Sequence, residues 1–179
     1  MSMVMGRILG LFRTETASFG EASADLWGGS VDTPKPELAA VLEQYKIYVE
    51  TADRVSARRG LANAFFLSLN SAVLTAAAAW QRDSIPHSLL LMFLAFGMVQ
   101  SAAWYWIIRS YRQLNSAKYV VIGALEERLP ASPYWRAEWK ALGEGRNRAR
   151  YWPISHLEQS LPIAFALLYV GSFVTAEMR

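Results

Sequence analysis

Cysteine is absent from the 179 residues, which removes disulfides, thiolate metal sites and thiol nucleophiles together. Histidine is nearly absent: His87 and His156 are the two imidazoles. Neither has a second histidine at metal spacing, and Glu158, two residues from His156, points away from it on a helix. A glycine-rich phosphate loop is also missing, because Gly143-Glu144-Gly145 neither follows a strand nor opens a helix. Enzyme chemistry, a metal and a cofactor are therefore not expected. Charge is missing where it matters most: Gly60–Gln81, Ser84–Ile108 and Gln159–Ala176 contain no Asp, Glu, Lys or Arg. A bilayer core about 30 Å thick takes roughly 20 apolar residues of helix, so the first two runs are long enough and the third is marginal. A proton relay or charge-driven transporter lacks its usual intramembrane parts.

The expected fold is an all-α membrane protein: a long transmembrane helical hairpin continuing into a cytoplasmic stalk, plus a short third transmembrane or re-entrant helix. The start, MSMVMGRILGLFRTET, offers only a short apolar stretch and no small-residue cleavage site. No cleaved signal peptide is expected, and the first span then acts as its own insertion signal. Lys46, Arg54, Arg58 and Arg59 precede the first run, and the Arg109–Arg150 region carries nine basic against four acidic residues. Both flanks read as cytoplasmic, with the short link Gln81–His87 outside. That same bias removes the need for nucleic acid as a partner, since cytoplasmic flanks of spans are basic anyway. Membrane lipids and other copies of the chain are the expected partners.

Four segments follow. Residues 1–36 read as a loosely ordered cytoplasmic tail, with an Ile8–Phe12 patch able to touch the membrane. Residues 37–129 form the hairpin, with spans at about 61–80 and 88–108 and a stalk built from amphipathic helical arms: Leu38, Val41, Leu42, Tyr45, Tyr48, Val49, Ala52 and Val55 recur at three- and four-residue steps. Residues 130–158 form a cap and a membrane-surface segment. Ser132-Pro133 opens its short helix, Tyr134–Leu142, and RNRARYW at 146–152 suits the headgroup layer. Residues 159–179 form the third apolar helix.

Polar side chains within the spans are the candidate site. Winding the first span at 100° per residue sets Asn63, Ser68, Asn70, Ser71 and Thr75 on one half, away from Phe65, Phe66, Leu69 and Val73. On the second, Phe93, Gly97, Gln100, Ser101 and Trp104 share an arc. Asn63, Asn70, Ser71, Gly97, Gln100 and Ser101 therefore read as helix–helix contacts or, in a second reading, as the wall of a water-filled path. Arg58, Arg59, Arg109 and Arg112 read as a collar for lipid headgroups. Folding the hairpin about residue 84 sets Glu50 near Lys118, and Asp53 near Arg112 or Asn115, as stalk pairs. Glu126, Glu127 and Arg128 read as a solvated helix face, and His156 as structural packing.

These residues carry a resemblance. QYKIYVETADRVSARRGLANAFFLSLNSA at 44–72, WYWIIRSYRQLNSAKYVVIGALEERLPASPYWRAEWKAL at 104–142 and YWPISHLEQSLPIAFALLY at 151–169 together resemble the RipA family of octameric small bacterial membrane proteins. The resemblance covers about Tyr45 to Tyr169; its marks are Tyr45, Tyr48, Asp53, Arg58, Arg59, Asn63, Phe65 and Asn70, then Arg109, Tyr111, Asn115, Lys118, Leu129, Pro130, Trp139 and Leu142, then His156 and Glu158. It implies a multi-pass homo-oligomer of the bacterial inner membrane, of eight subunits, linked to survival under host or stress conditions, with no catalytic set to carry over. The expected function is a non-enzymatic scaffold of that type, with a pore or membrane-permeabilising effector of a bacterial defence system as the alternative.

Overall fold

The structure is a computed structural model. It describes residues 18–28, 37–80, 86–144, 150–151 and 154–178, apart from the side chains of Trp80, Ser155 and His156. Among the described residues every regular element is helical: α1 (Phe19–Trp27), α2 (Leu38–Trp80), α3 (His87–Glu126), a π-helical turn (Pro133–Glu138) leading into α4 (Trp139–Ala141), and α5 (Ile154–Glu177). The Ile8–Phe12 patch, most of the link after Gln81, most of RNRARYW and the role expected of His156 lie outside the described residues.

Helices α2, α3 and α5 are long and apolar enough to cross a membrane. At 43 and 40 residues, α2 and α3 far exceed the roughly 20 residues that a crossing needs. Proline sets several boundaries, since it has no N–H to donate and disfavours helix in the residue before it. Helix α2 starts after Pro36, α3 starts directly after Pro86, and α3 ends short of Pro130. Helix α5 runs for 24 residues, longer than its uncharged run, because the polar turn from Ile154 to Glu158 joins it. Pro162 lies inside α5 and is buried, so the helix loses one hydrogen bond to the preceding turn there.

The chain covers very little of its own apolar surface. Of the most apolar stretch of each helix, 6% is buried for α2, 28% for α3 and 11% for α5. Leu91, Met92, Phe96, Val99, Ile163 and Leu167 are all exposed. In water such a surface would far exceed the roughly 300–600 Å² that the largest apolar patch of a soluble monomer reaches. Against lipid tails the same side chains cost nothing.

Contacts divide the chain into two units, Met1–Arg54 with Gln113–Tyr151, and Val55–Arg112 with Trp152–Arg179; α2 and α3 contribute to both. The first unit corrects the expected loose tail over part of its length. Ser18 and Glu21 form a reciprocal capping box, with the Glu21 N–H donating to Ser18 Oγ at 3.3 Å and the Ser18 N–H donating to Glu21 Oε2 at 2.8 Å, and this starts α1. The Ser18 backbone N–H, then its hydroxyl, holds the Glu21 carboxyl below the ordinary range. Helix α1 is tied down by aromatic contacts: Phe19 stacks on Trp135 at 4.8 Å, Trp27 Nε1 donates to the Ala124 carbonyl at 3.1 Å, and Arg128 sits over the Trp27 ring at 4.7 Å. Gly123 permits this packing, because a Cβ there would lie 2.6 Å from Trp135 Cδ2. In the second unit, Trp104, Ile108 and Tyr169 form the buried centre of the three apolar helices.

Candidate functional site

In the second unit, the buried polar groups form a seam between the apolar helices. Asn63 Oδ1 accepts from Trp104 Nε1 at 2.9 Å. Trp104 is fully buried, stacked on Phe66 at 5.9 Å and tilted against Phe165 at 5.8 Å, so this bond fixes a ring already packed on two sides. Asn70, also fully buried, donates to the Phe66 carbonyl at 2.8 Å and accepts from Tyr169 Oη at 3.0 Å, joining α2 to α5. Gly97 makes room for that tyrosine: a Cβ there would stand 2.5 Å from Tyr169 Cδ2. Gln100 and Ser101 are buried on α3, and neither the Gln100 amide nor the Ser101 hydroxyl finds a hydrogen-bond partner among the described residues. Ser71 faces outward instead, its carbonyl accepting from Thr75 Oγ1 at 2.8 Å. The polar half of the first span is thus divided: its amides turn inward, and Ser68, Ser71 and Thr75 are exposed.

The arginines of this unit meet protein as well as solvent. Arg59 Nε lies 3.2 Å from Glu158 Oε2, both side chains largely buried, with the N–H turned off the line between them, so the contact is ionic rather than a linear hydrogen bond. Arg112 Nη1 donates to Gln159 Oε1 at 2.5 Å. Arg109 is buried, its guanidinium 5.8 Å from the Trp106 ring centre, and Arg58 is exposed. His87 Nδ1 lies 2.6 Å from Glu177 Oε1, tying the start of α3 to the end of α5. An apolar crevice between Leu74, Leu90, Phe93 and Tyr169 holds about 30 Å³. That is one-tenth of the roughly 300 Å³ at which small-molecule pockets begin. Among the described residues, no three His, Asp or Glu side chains gather as a metal site would require.

The first unit holds the feature that the sequence reading misplaced. Glu126, expected on a solvated face, is 2% exposed and accepts four hydrogen bonds. Tyr45 Oη (3.1 Å) and the Tyr134 N–H (3.0 Å) donate to its Oε1; Ser132 Oγ (2.5 Å) and the Trp135 N–H (3.0 Å) donate to its Oε2. The last residue of α3 therefore caps the turn beginning at Pro133. Ser132 makes no cap hydrogen bond of its own, contrary to expectation, because Glu126 already takes the free N–H groups. Burial, then the bond to Glu126, pushes the Tyr45 phenol above its ordinary range. Burial does the same to Tyr119, with the Asp53 carboxylate adding to it.

One expected stalk pair also resolves differently. Glu50 accepts from Arg54 Nη2 at 2.6 Å, one turn along the same helix, and Lys118 sits over the Tyr48 ring at 4.7 Å. The expected Glu50–Lys118 pair is replaced by these contacts. A cation–π contact and an i,i+4 pair each reach partners already fixed on nearby helix faces, so neither long side chain has to cross to the other. Sequence reasoning also gave no packing partner to Trp27, Trp135 or Tyr169. The signal for α1 was present as Ser18-x-x-Glu21 before an amphipathic stretch; for Tyr169 the signal was a lone phenol in an apolar run, whose hydroxyl requires a partner.

Three weakly covered apolar helices joined by internal hydrogen bonds define a multi-pass α-helical membrane protein. The family model of the octameric membrane protein family (8xMP) matches residues 42–178, and the chain belongs to that family. No curated protein and no solved structure matches the chain.

Proposed function

We propose that this protein is a non-enzymatic scaffold of the bacterial inner membrane, working as a homo-octamer in survival under stress. The observation that carries the reading is the use of polar groups within the apolar helices. Asn63 is occupied by Trp104, and Asn70 by Tyr169. With no charged residue in the three apolar runs, these groups hold helices together rather than move ions. The family description names an assembly and no reaction. The basic flanks favour a cytoplasmic placement of the segments beside the first two spans, and Arg58 remains available to lipid phosphate.

A second reading, an oligomeric pore, draws on Gln100 and Ser101, whose polar atoms have no partner among the described residues and would be satisfied by water. Ion flux into liposomes carrying the purified oligomer separates the two. The scaffold reading expects vesicles that hold a small-ion gradient at neutral pH. Robust flux that is lost on Gln100→Leu or Ser101→Ala would select the pore.

A further inference from the structure

We infer that the end of α3 and the turn after Pro133 form a docking face for a short helix, and that α1 occupies it as a releasable strap. Phe19, Ser23 and Trp27 stand at four-residue steps and so share one side of α1. Each meets its own partner: Phe19 stacks on Trp135 at 4.8 Å, Ser23 Oγ donates to Glu127 Oε2 at 3.1 Å, and Trp27 Nε1 donates to the Ala124 carbonyl at 3.1 Å with Arg128 over its ring. The opposite side, Gly20, Glu21, Ala24 and Asp25, is exposed, and no residue of α1 is buried. On α3, by contrast, Ile122, Ala124, Leu125 and Glu126 are all buried.

The face is held by contacts that do not involve α1. The Trp135 N–H donates to Glu126 Oε2 at 3.0 Å, and the Trp135 ring packs against Gly123, where a Cβ would lie 2.6 Å from Cδ2. Ala124 lies in the last turn of α3, whose carbonyls have no intrahelical donor. The Arg128 and Leu129 N–H groups serve the Leu125 and Glu126 carbonyls at 3.1 Å, and the Trp27 indole serves that of Ala124. Once α1 leaves, water reaches this carbonyl in place of the indole, so release does not strand it. The strap, in turn, depends on the face. Helix α1 has nine residues, and an isolated helix shorter than about 12–15 residues is marginal in water. The Ser18–Glu21 capping box satisfies N–H groups at its start but buries no apolar surface. Docking and helix formation in α1 are therefore one event, and release is a local opening rather than a loss of the whole unit. The matched family residues, 42–178, contain every partner on the face and none of α1. What the face reads is a helix with an aromatic ring, a small hydroxyl and an indole N–H at positions i, i+4 and i+8.

The test is hydrogen exchange on the full chain in detergent. In the unmodified protein the α1 amides of Ala22 and Gly28, bonded to the Ser18 and Ala24 carbonyls, are expected to exchange together and faster than those of Ile122 to Leu125 on α3. Ser23→Glu sets a second carboxylate against Glu127 without lowering helix propensity. It is expected to cut protection in α1 about ten-fold and to leave α3 unchanged, and adding Glu127→Lys to it is expected to restore protection. A fluorescently labelled peptide of residues 17–28 reads the face itself, and is expected to bind the Ser23→Glu chain more tightly than the unmodified chain, whose face is filled. Amides of α1 that exchange in step with α3, α1 protection untouched by Ser23→Glu, or protection lost from both helices together in that variant would each overturn the strap. Release of α1 in Ser23→Glu with no binding of the peptide would overturn the docking face.

Discussion

Replacing Glu126 probes a buried side chain that accepts four hydrogen bonds in the first unit. Its two oxygens take two hydroxyl donors and two backbone N–H donors. Hydrogen bonds to a charged group contribute about 1.5–3 kcal/mol each, and a buried donor left unpaired costs about 1–3 kcal/mol. In Glu126→Ala, the hydroxyls of Tyr45 and Ser132 can rotate toward other acceptors, but the N–H groups of Tyr134 and Trp135 are fixed by the chain. Two stranded N–H groups set a destabilisation of about 2–6 kcal/mol for the turn at Pro133. Glu126→Gln keeps one acceptor oxygen and presents an N–H to the other pair, so one backbone N–H is stranded, at about 1–3 kcal/mol. Glu127→Gln is the control: among the described residues its hydrogen bond is an exposed one from Ser23 Oγ at 3.1 Å, and its cost is at most about 1 kcal/mol. Hydrogen exchange at the Tyr134 and Trp135 amides, in detergent at neutral pH, reads the effect directly. Protection is expected to fall most in Glu126→Ala, less in Glu126→Gln and not in Glu127→Gln. Equal protection in all four proteins would refute the capping role.

Two further predictions concern single groups. In a double-mutant cycle, Asn70→Leu and Tyr169→Phe are expected to couple by about 0.5–1.5 kcal/mol in thermal unfolding in detergent, the range for hydrogen bonds between membrane helices; strict additivity would remove the α2–α5 bond from the account. The Tyr45 phenol, raised first by burial and then by Glu126, has a folded pKa above its unfolded value of about 10. Its contribution is complete below that unfolded value and is lost as pH rises through the folded one. Tyr45→Phe is therefore expected to reduce the alkaline loss of stability of the first unit, followed by tyrosinate absorbance, and an unchanged alkaline limb would contradict this.

How far the sequence disclosed the molecule depended on what each residue answers to. The apolar helices were legible because lipid imposes a long uncharged run, and Gly60–Gln81 and Ser84–Ile108 satisfy that locally. Asn63 and Asn70 were legible as inward groups because an amide in an apolar run needs a protein partner. Their partners were not, since Trp104 and Tyr169 lie 41 and 99 residues away and no local spacing encodes such a meeting. Glu126 was misread for the same reason. Beside Glu127 and Arg128 it looks like part of a charged surface, and its burial depends on Tyr45, Ser132 and the turn after Pro133 closing over it. The split of the polar half of α2 was hidden too: periodicity groups amides with hydroxyls, whereas packing turns Asn63 and Asn70 inward and leaves Ser68 and Ser71 outside.

The account stands on lipid being the medium around α2, α3 and α5. Alkaline carbonate washing of membranes from cells expressing the intact chain tests this most directly, because it strips peripheral proteins and leaves helices that cross the bilayer. The chain is expected to stay with the sedimented membranes and to leave only with detergent. Recovery of a folded, detergent-free monomer in the supernatant would contradict the account at its base.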